Sequence, residues 1–416
     1  MIKKSSVRQQ AAAVMRALNM SSKFLVVFFG AKYLELQEMA FLGLYWTIVT
    51  ICASVIGLNI YTYTIRKALS HGEQLVSREL SRHYTALICL TLISAPFFIT
   101  YSHSLFSGDS LILFPILMLH VFAEVMSQEN SRFLIAFGKP FESSLANFVR
   151  GFLWSLFAIL YLIVFNYEAS FLTVITIWLL FSIISLVYSA RLIQVVLNIK
   201  LKWDANFSWV CKSVYSAGWI LVASLLFRVV VGGDRLIAEW FLDESLLAVY
   251  VYYSILVFAL VGIVETGVSS WHYPELVKAI GENNFHIVNE KYRQYQSAIV
   301  LPAFGMVVLL NMTVILSSRF FLDNIYFDNY LVFTVLSLGA LVYSLAMPSH
   351  YVIYGLGRDR CYFFICASSV LLFLVAVFLL PVNGAIYRVA IAFFLALSFL
   401  SLLKYSVARK FRQAFN

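Results

Sequence analysis

The feature that most constrains this chain is the recurrence, from end to end, of apolar stretches of lipid-crossing length separated by short polar breaks. A helix rises about 1.5 Å per residue, so spanning a hydrocarbon layer about 30 Å thick takes about 20 predominantly apolar residues. Such segments run over 12–34, 39–63, 84–104, 110–137, 144–165 and 170–193, and then over 214–241, 245–271, 298–318, 330–354, 362–380 and 385–405. Hydrophobic residues make up 62% of the chain and charged ones 12%, against about half and a quarter in soluble domains. No polar stretch is long enough for a separate soluble domain. The expected fold is all-α and integral to a membrane, with about twelve transmembrane helices.

Lysine and arginine accumulate in short loops on the cytoplasmic side of a membrane protein. One alternate set of breaks holds Lys3, Lys4 and Arg8; Arg66, Lys67, Arg78 and Arg82; Arg132 and Lys139; Arg191, Lys200, Lys202 and Lys212; Lys278, Lys291 and Arg293; Arg358 and Arg360; and Lys404, Arg409, Lys410 and Arg412. The other holds Lys32, Arg235, Arg319 and Arg388. Both termini are expected in the cytoplasm. The net charge of +9 is mostly this topological signal, not a nucleic-acid footprint. Arg16, Asn19 and Lys23 interrupt the first apolar run and no small-residue cleavage site follows, which argues against a cleaved signal peptide. Cys52, Cys89, Cys211, Cys361 and Cys366 lie within spans or at their cytoplasmic ends and imply neither a disulfide framework nor a metal site.

The chain reads as two related halves, residues 1–200 and 201–416, each a six-helix bundle, pseudo-symmetric around a central cavity. Leu42-Gly43-Leu44-Tyr45 stands at the same offset from Lys23 as Leu247-Ala248-Val249-Tyr250 does from Arg228, and Gly138-Lys139 aligns with Gly357-Arg358. A repeat with an even number of spans keeps its orientation, so the halves are related by an axis along the membrane normal.

Charges within lipid-length segments cost about 2.5 to 3.5 kcal/mol on insertion scales, so they usually face a cavity or a partner. Arg16, Asn19 and Lys23 share one face of the first span, Ser143, Asn147 and Arg150 one face of the fifth, and Ser224, Arg228, Gly232 and Arg235 one face of the seventh. His120, Glu124, Gln128 and Ser131 form a stripe along the fourth, and Glu265 lies in the cytoplasmic half of the eighth. Four interior bases against two acids favour an anionic substrate. Arg16 and Arg150 are also placed to reach the headgroups by snorkelling, whereas Lys23 and Arg228 sit too deep for that. Glu124 has two readings, a structural ion pair and a proton-coupling group. Glu265 reads as a structural partner or vestibule residue, with ion coupling as the alternative. Asp234, with Arg235, is placed at the external end of the seventh span, where a local salt bridge is the default and ion coupling the alternative. Gly43, Thr47, Thr50, Ser54 and Gly57 make a small-residue stripe suited to close helix packing.

The pattern resembles the polysaccharide-exporter branch of the multidrug/oligosaccharidyl-lipid/polysaccharide (MOP) flippase superfamily, most closely the O-antigen flippases called Wzx. The residues that carry it are Gly43-Leu44-Tyr45, Asp234-Arg235, Val249-Tyr250 and Tyr273-Pro274-Glu275-Leu276, with the span layout extending it over the whole chain; Ala248 stands where such proteins often have Gly. The resemblance implies transport of an undecaprenyl-diphosphate-linked oligosaccharide from the cytoplasmic to the periplasmic leaflet of a bacterial inner membrane, by alternating access coupled to a proton or sodium gradient or to the membrane potential. It implies no cofactor, and as partners the lipid-linked oligosaccharide, membrane lipids and polysaccharide-assembly proteins. On that reading Lys23 and Arg228 contact the diphosphate or acidic sugar, Arg16 and Arg150, with Asn19 and Asn147 beside them, draw substrate in, and Glu124 is the lead coupling residue.

The rival readings are another transporter of the superfamily, a multidrug exporter or lipid II flippase, and a membrane-embedded O-antigen polymerase or glycosyltransferase. Exporters of cationic drugs favour acids in the cavity. Integral-membrane enzymes of this kind usually carry a long external loop, whereas breaks such as 33–38, 104–109 and 166–169 are short. No nucleotide-binding glycine loop, metal-ligand cluster or nucleophile–base pair is present, so a non-enzymatic role is expected. In single-cysteine labelling, probes at 70–72 and 198–200 are expected to react only after the membrane is permeabilised, and a probe at residue 36 without it. The reverse pattern would overturn the assigned orientation.

Overall fold

The computed structural model describes residues 2–58, 60–69, 73–105, 110–197, 201–282 and 285–413, and among these there is no strand. The chain forms two compact units, one of Met1–Leu34 and Tyr45–Leu221, the other of Glu35–Leu44 and Val222–Asn416. The first contains α1 (Ile2–Tyr33), most of α2 (Leu36–Gly57), α3 (Ile60–Leu69), α4 (Glu73–Ile93), α5 (Ala95–Leu105), α6 (Ser110–Ala136), α7 (Pro140–Phe148), α8 (Trp154–Phe165), α9 (Phe171–Leu197) and the start of α10 (Phe207–Val230). The second contains the start of α2, the end of α10, α11 (Asp234–Ala238), α12 (Glu244–Val264), α13 (Ser270–Gly281), α14 (Phe285–Phe320), α15 (Asn324–Asp328), α16 (Tyr330–Leu345), α17 (Met347–Gly355), α18 (Asp359–Leu379) and α19 (Ala385–Gln413).

Among the described residues nine helical stretches are long and apolar enough to cross a membrane, and eleven if each of two bent pairs is one span. Helix α1, whose apolar stretch is broken by Arg16, Asn19 and Lys23, falls outside that count. With it, the helices follow one by one the apolar segments read from the sequence. The chain is a multi-pass membrane protein with an all-α fold. The bent pairs are α10, turning by 73° between Ser216 and Gly218, and α16 with α17, turning by 41°.

Two helix ends share one device. α6 stops at Gly138 (φ 75°) with the Lys139 N–H bonded to the Leu134 carbonyl at 2.7 Å, and α17 at Gly357 (φ 63°) with the Arg358 N–H bonded to the Ile353 carbonyl at 3.2 Å. Both are left-handed glycine caps in which the following residue reaches back five positions. The Gly-basic dipeptides that align in sequence thus perform the same termination in each unit.

The seventh span is broken where the sequence reading makes it continuous. α10 ends at Val230, Gly232 takes φ 116°, and the Gly233 N–H bonds the Arg228 carbonyl at 3.0 Å before α11 begins. The stripe from Ser224 through Arg228 and Gly232 to Arg235 is therefore interrupted, because the glycine pair lets the backbone leave the helix. Asp234 and Arg235 follow the break, past the end of α10. Both meet Ser254, at 2.8 Å and 3.1 Å, and Ser254 lies ten residues into α12. Non-helical backbone packed against a membrane-length helix is tolerated only when protein satisfies it. Here Asp234 does so, taking the Gly232 N–H at 2.9 Å and the Tyr250 hydroxyl at 2.9 Å, with Ser254 completing the set. The carboxylate is fully buried and holds the break together.

The start of α2 packs on α12 in the second unit. A Cβ at Gly43 would fall 1.8 Å from Val251 Cγ1, and Gln37 donates to Glu244 at 2.9 Å. Val251 is fully buried and β-branched, so it has little room to turn away. Gly43→Ala is expected to lower stability by about 1–3 kcal/mol through overpacking, and Val251→Ala in the same chain to restore most of it. Thermal unfolding in detergent reads both; a Gly43→Ala protein as stable as the parent would refute the close packing.

Candidate functional site

In the first unit a polar chain crosses the apolar interior. Trp154 and Trp178 stack, Trp46 meets Trp154 edge-on, and His120 sits edge-on to Trp178 at 4.3 Å. The Tyr45 hydroxyl lies 2.9 Å from His120 Nδ1, and Ser182 Oγ 3.4 Å from His120 Nε2. Ser182 donates to Glu124 Oε1 at 3.0 Å, so its oxygen is left to accept from His120, and Nδ1 to accept from Tyr45. Every donor in the run thus points toward Glu124.

Glu124 continues to the basic side. Its Oε2 lies 3.4 Å from Arg150 Nη1, and Arg150 Nη2 donates to Asn147 Oδ1 at 3.0 Å. Ser131 Oγ donates to the same Asn147 oxygen at 3.1 Å. Arg150 lies in a π-helical turn, Val149–Leu153, between α7 and α8. Turns of that kind are rare and recur at functional sites. Next to it Gly151 admits Asn19 of α1, since a Cβ there would fall 1.6 Å from Asn19 Oδ1. That oxygen is buried without a hydrogen-bond partner. Lys23, one turn further along α1, is exposed and within coulombic range of Arg150 and Glu124. Of the residues singled out in the first half, Asn19, Lys23, Glu124, Asn147 and Arg150 thus come together. Arg16 lies on α1, but its side chain is outside the described residues.

In the second unit Arg228 is half-buried near the end of α10, and it acts electrostatically on Glu265. Glu265 opens a second π-helical turn, Glu265–Ser269, between α12 and α13, and is exposed. Asp234 is held apart from this pair as the acceptor at the broken span.

Sequence reasoning missed Lys404. It belongs to the cytoplasmic loop set by charge, yet it is 1% exposed. Its ammonium stands 4.8 Å from the Tyr343 ring, 5.3 Å from Tyr362 and 5.6 Å from Phe227. No carboxylate among the described residues forms an ion pair with it, so the ring faces are its counter-charge. Helical spacing carries the signal: Ala396, Leu397, Leu400, Ser401, Lys404 and Ala408 are all buried on one face of α19.

Also missed is a polar network at one end of the first unit. Glu129 is buried with His83 at 3.1 Å and pairs with Arg132. Glu79 accepts from Trp209 Nε1 at 2.6 Å and meets Arg82 at 3.4 Å, while Arg82 holds Asp204 at 2.9 Å. These acids have their own bases and leave the cluster around Arg150 uncompensated by them.

No family model matches the chain, and no curated protein matches it. Solved structures do. An inward-facing multidrug resistance MATE family transporter of the MOP superfamily has TM-score 0.76 at 13% identity, over 97% of this chain and 98% of that one. The lipid II flippase MurJ in an inward closed conformation has TM-score 0.74 at 12% identity, over 95% and 87%. A MOP superfamily transporter from Pyrococcus furiosus, described as having a binding pocket of reverse polarity that suggests a different function, has TM-score 0.55 at 12% identity, over 99% and 95%. The chain has the fold of these transporters; at such identities the likeness fixes the fold alone.

Breaking a buried ion pair on one side strands the other charge, at a cost of roughly 3 kcal/mol. Glu124→Ala is expected to destabilise the protein by about that much in thermal unfolding, Glu124→Ala with Arg150→Ala by clearly less. Equal losses in the two variants would mean that Arg150 does not depend on Glu124.

Proposed function

We propose that this protein is a flippase that moves an undecaprenyl-diphosphate-linked oligosaccharide, of the O-antigen repeat-unit type, from the cytoplasmic to the periplasmic leaflet of a bacterial inner membrane. The observation that carries the reading is the charge balance of the cluster in the first unit. Lys23 and Arg150 stand there against Glu124, while in the second unit Arg228 acts on Glu265. Two cations for one carboxylate is the opposite of what a carrier of cationic drugs needs and the complement of a diphosphate.

Lys23 adds a depth argument. It lies ten residues before the end of α1 at Tyr33, about 15 Å by helical rise, or half a hydrocarbon layer. A cation at that depth requires a carboxylate, water or a polar ligand rather than lipid, and the one carboxylate acting on Lys23, Glu124, is already engaged by Arg150. The fold supports the reading as well, because it also serves a lipid II flippase. Lys23, Arg150 and Arg228 are assigned to the anionic headgroup, with Asn19 and Asn147 beside them and Arg16 on the approach. Glu124, at the acceptor end of the run from Tyr45 through His120 and Ser182, is assigned to coupling with a proton gradient.

Lys23→Ala and Arg228→Ala are each expected to reduce surface polysaccharide at least tenfold in a complementation assay, with membrane levels of the protein unchanged. Wild-type polysaccharide from either variant would remove that residue from the headgroup site. Glu124→Gln is expected to abolish the dependence of transport on an imposed pH gradient; retained dependence would make Glu124 structural.

A further inference from the structure

The second unit carries an open hollow of about 400 Å³ lined by Glu265, Ser270, Tyr273, His350, Tyr351 and Tyr354. That size falls in the range of small-ligand pockets, about 300–1,000 Å³. Its chemistry differs from that of the basic residues nearby. Glu265 is exposed at the π-helical turn and has neither a hydrogen bond nor an ion pair among the described residues. His350 has Nδ1 buried with no hydrogen-bond partner. Burying a bare lone pair costs less than burying an unpaired N–H, which puts the ring proton on Nε2 and makes that nitrogen a donor. Tyr273 and Tyr351 stack at 4.6 Å with an interplanar angle of 15°, giving the wall broad apolar rings with hydroxyl edges.

Charge selects among ligands. Arg228 acts on Glu265, and Lys404 acts on His350. A cation drawn by the one carboxylate meets two fixed positive charges, and an anion meets the carboxylate itself. A neutral ligand with many hydroxyls meets neither obstacle, and it matches an acceptor carboxylate, an imidazole donor and phenol groups. We propose that this cavity is a subsite for a neutral sugar residue, with Glu265 accepting hydrogen bonds from two neighbouring hydroxyls, His350 Nε2 donating to a third oxygen, and the tyrosines covering the sugar's C–H face. The assignment rests on the flippase reading above and adds to it a place where the saccharide, rather than the diphosphate, is recognised.

The test is binding to the purified full-length protein in detergent, comparing undecaprenyl diphosphate with undecaprenyl diphosphate bearing one N-acetylglucosamine. The sugar is expected to lower Kd at least fivefold. Glu265→Ala and Tyr351→Leu are each expected to erase that gain, Tyr351→Leu with the Kd for the sugar-free lipid unchanged, and Glu265→Gln is the second variant should the alanine protein fail to fold. No gain from the sugar in the wild type, or a gain that survives the Glu265 and Tyr351 substitutions, overturns the subsite. So does tetraphenylphosphonium binding that depends on Glu265, which would mark a cation pocket. The flippase reading fails differently, by absence of binding of the sugar-free diphosphate lipid or by its indifference to Lys23→Ala and Arg228→Ala.

Discussion

Hydrocarbon offers no partner to a charge or an unpaired backbone group, and the rest of this structure follows from that constraint. Among the described residues, the charged side chains around the site are either matched within the protein or left where water or a ligand can meet them. Glu124 and Arg150 match one another, Asp234 matches a broken backbone, and Lys404 is matched by aromatic faces. Lys23 and Glu265 are the exposed members, and they are the ones to which a ligand can add something.

The two π-helical turns serve the same constraint. Each inserts a residue into the helical ladder and displaces one charged side chain, Arg150 in one unit and Glu265 in the other. A regular helix would place these groups by its fixed 3.6-residue repeat; the extra residue re-aims them. At Val149–Leu153 the adjustment also brings Gly151 beneath Asn19, so that α1 approaches closely enough to bring Lys23 within reach of the pair. Local backbone geometry thereby sets the electrostatics of the cluster.

Much of the fold was legible because apolar length and loop charge are one-dimensional signals. The helices follow the apolar segments in order, and the Gly-basic pairs at Gly138 and Gly357 proved to be equivalent caps. The polar stripes were legible where the helix stayed regular: Asn147 and Arg150 do share a cluster, and Glu124 does meet a cation. Reasoning from spacing failed where the backbone left the helix. Gly232-Gly233 broke the face shared by Arg228 and Arg235, and Asp234 became the acceptor that holds the break against α12. It failed again at Lys404, because a charge near the end of an apolar run was read as a loop signal, although buried positions at helical spacing continue past it to Ala408. Glu129 was passed over because its partners, His83 and Arg132, are joined to it by folding and, in the case of His83, lie far off in sequence.

The central claim is that the excess of positive charge around Glu124 serves to carry a lipid-linked anionic saccharide across the bilayer. The most direct measurement is which leaflet holds the complete, unpolymerised repeat unit when the gene is deleted. The account predicts accumulation on the cytoplasmic face, reversed by supplying the gene. Accumulation of single units on the periplasmic face would show that translocation proceeds without this protein and that a later, polymerising step had failed, which would contradict the account.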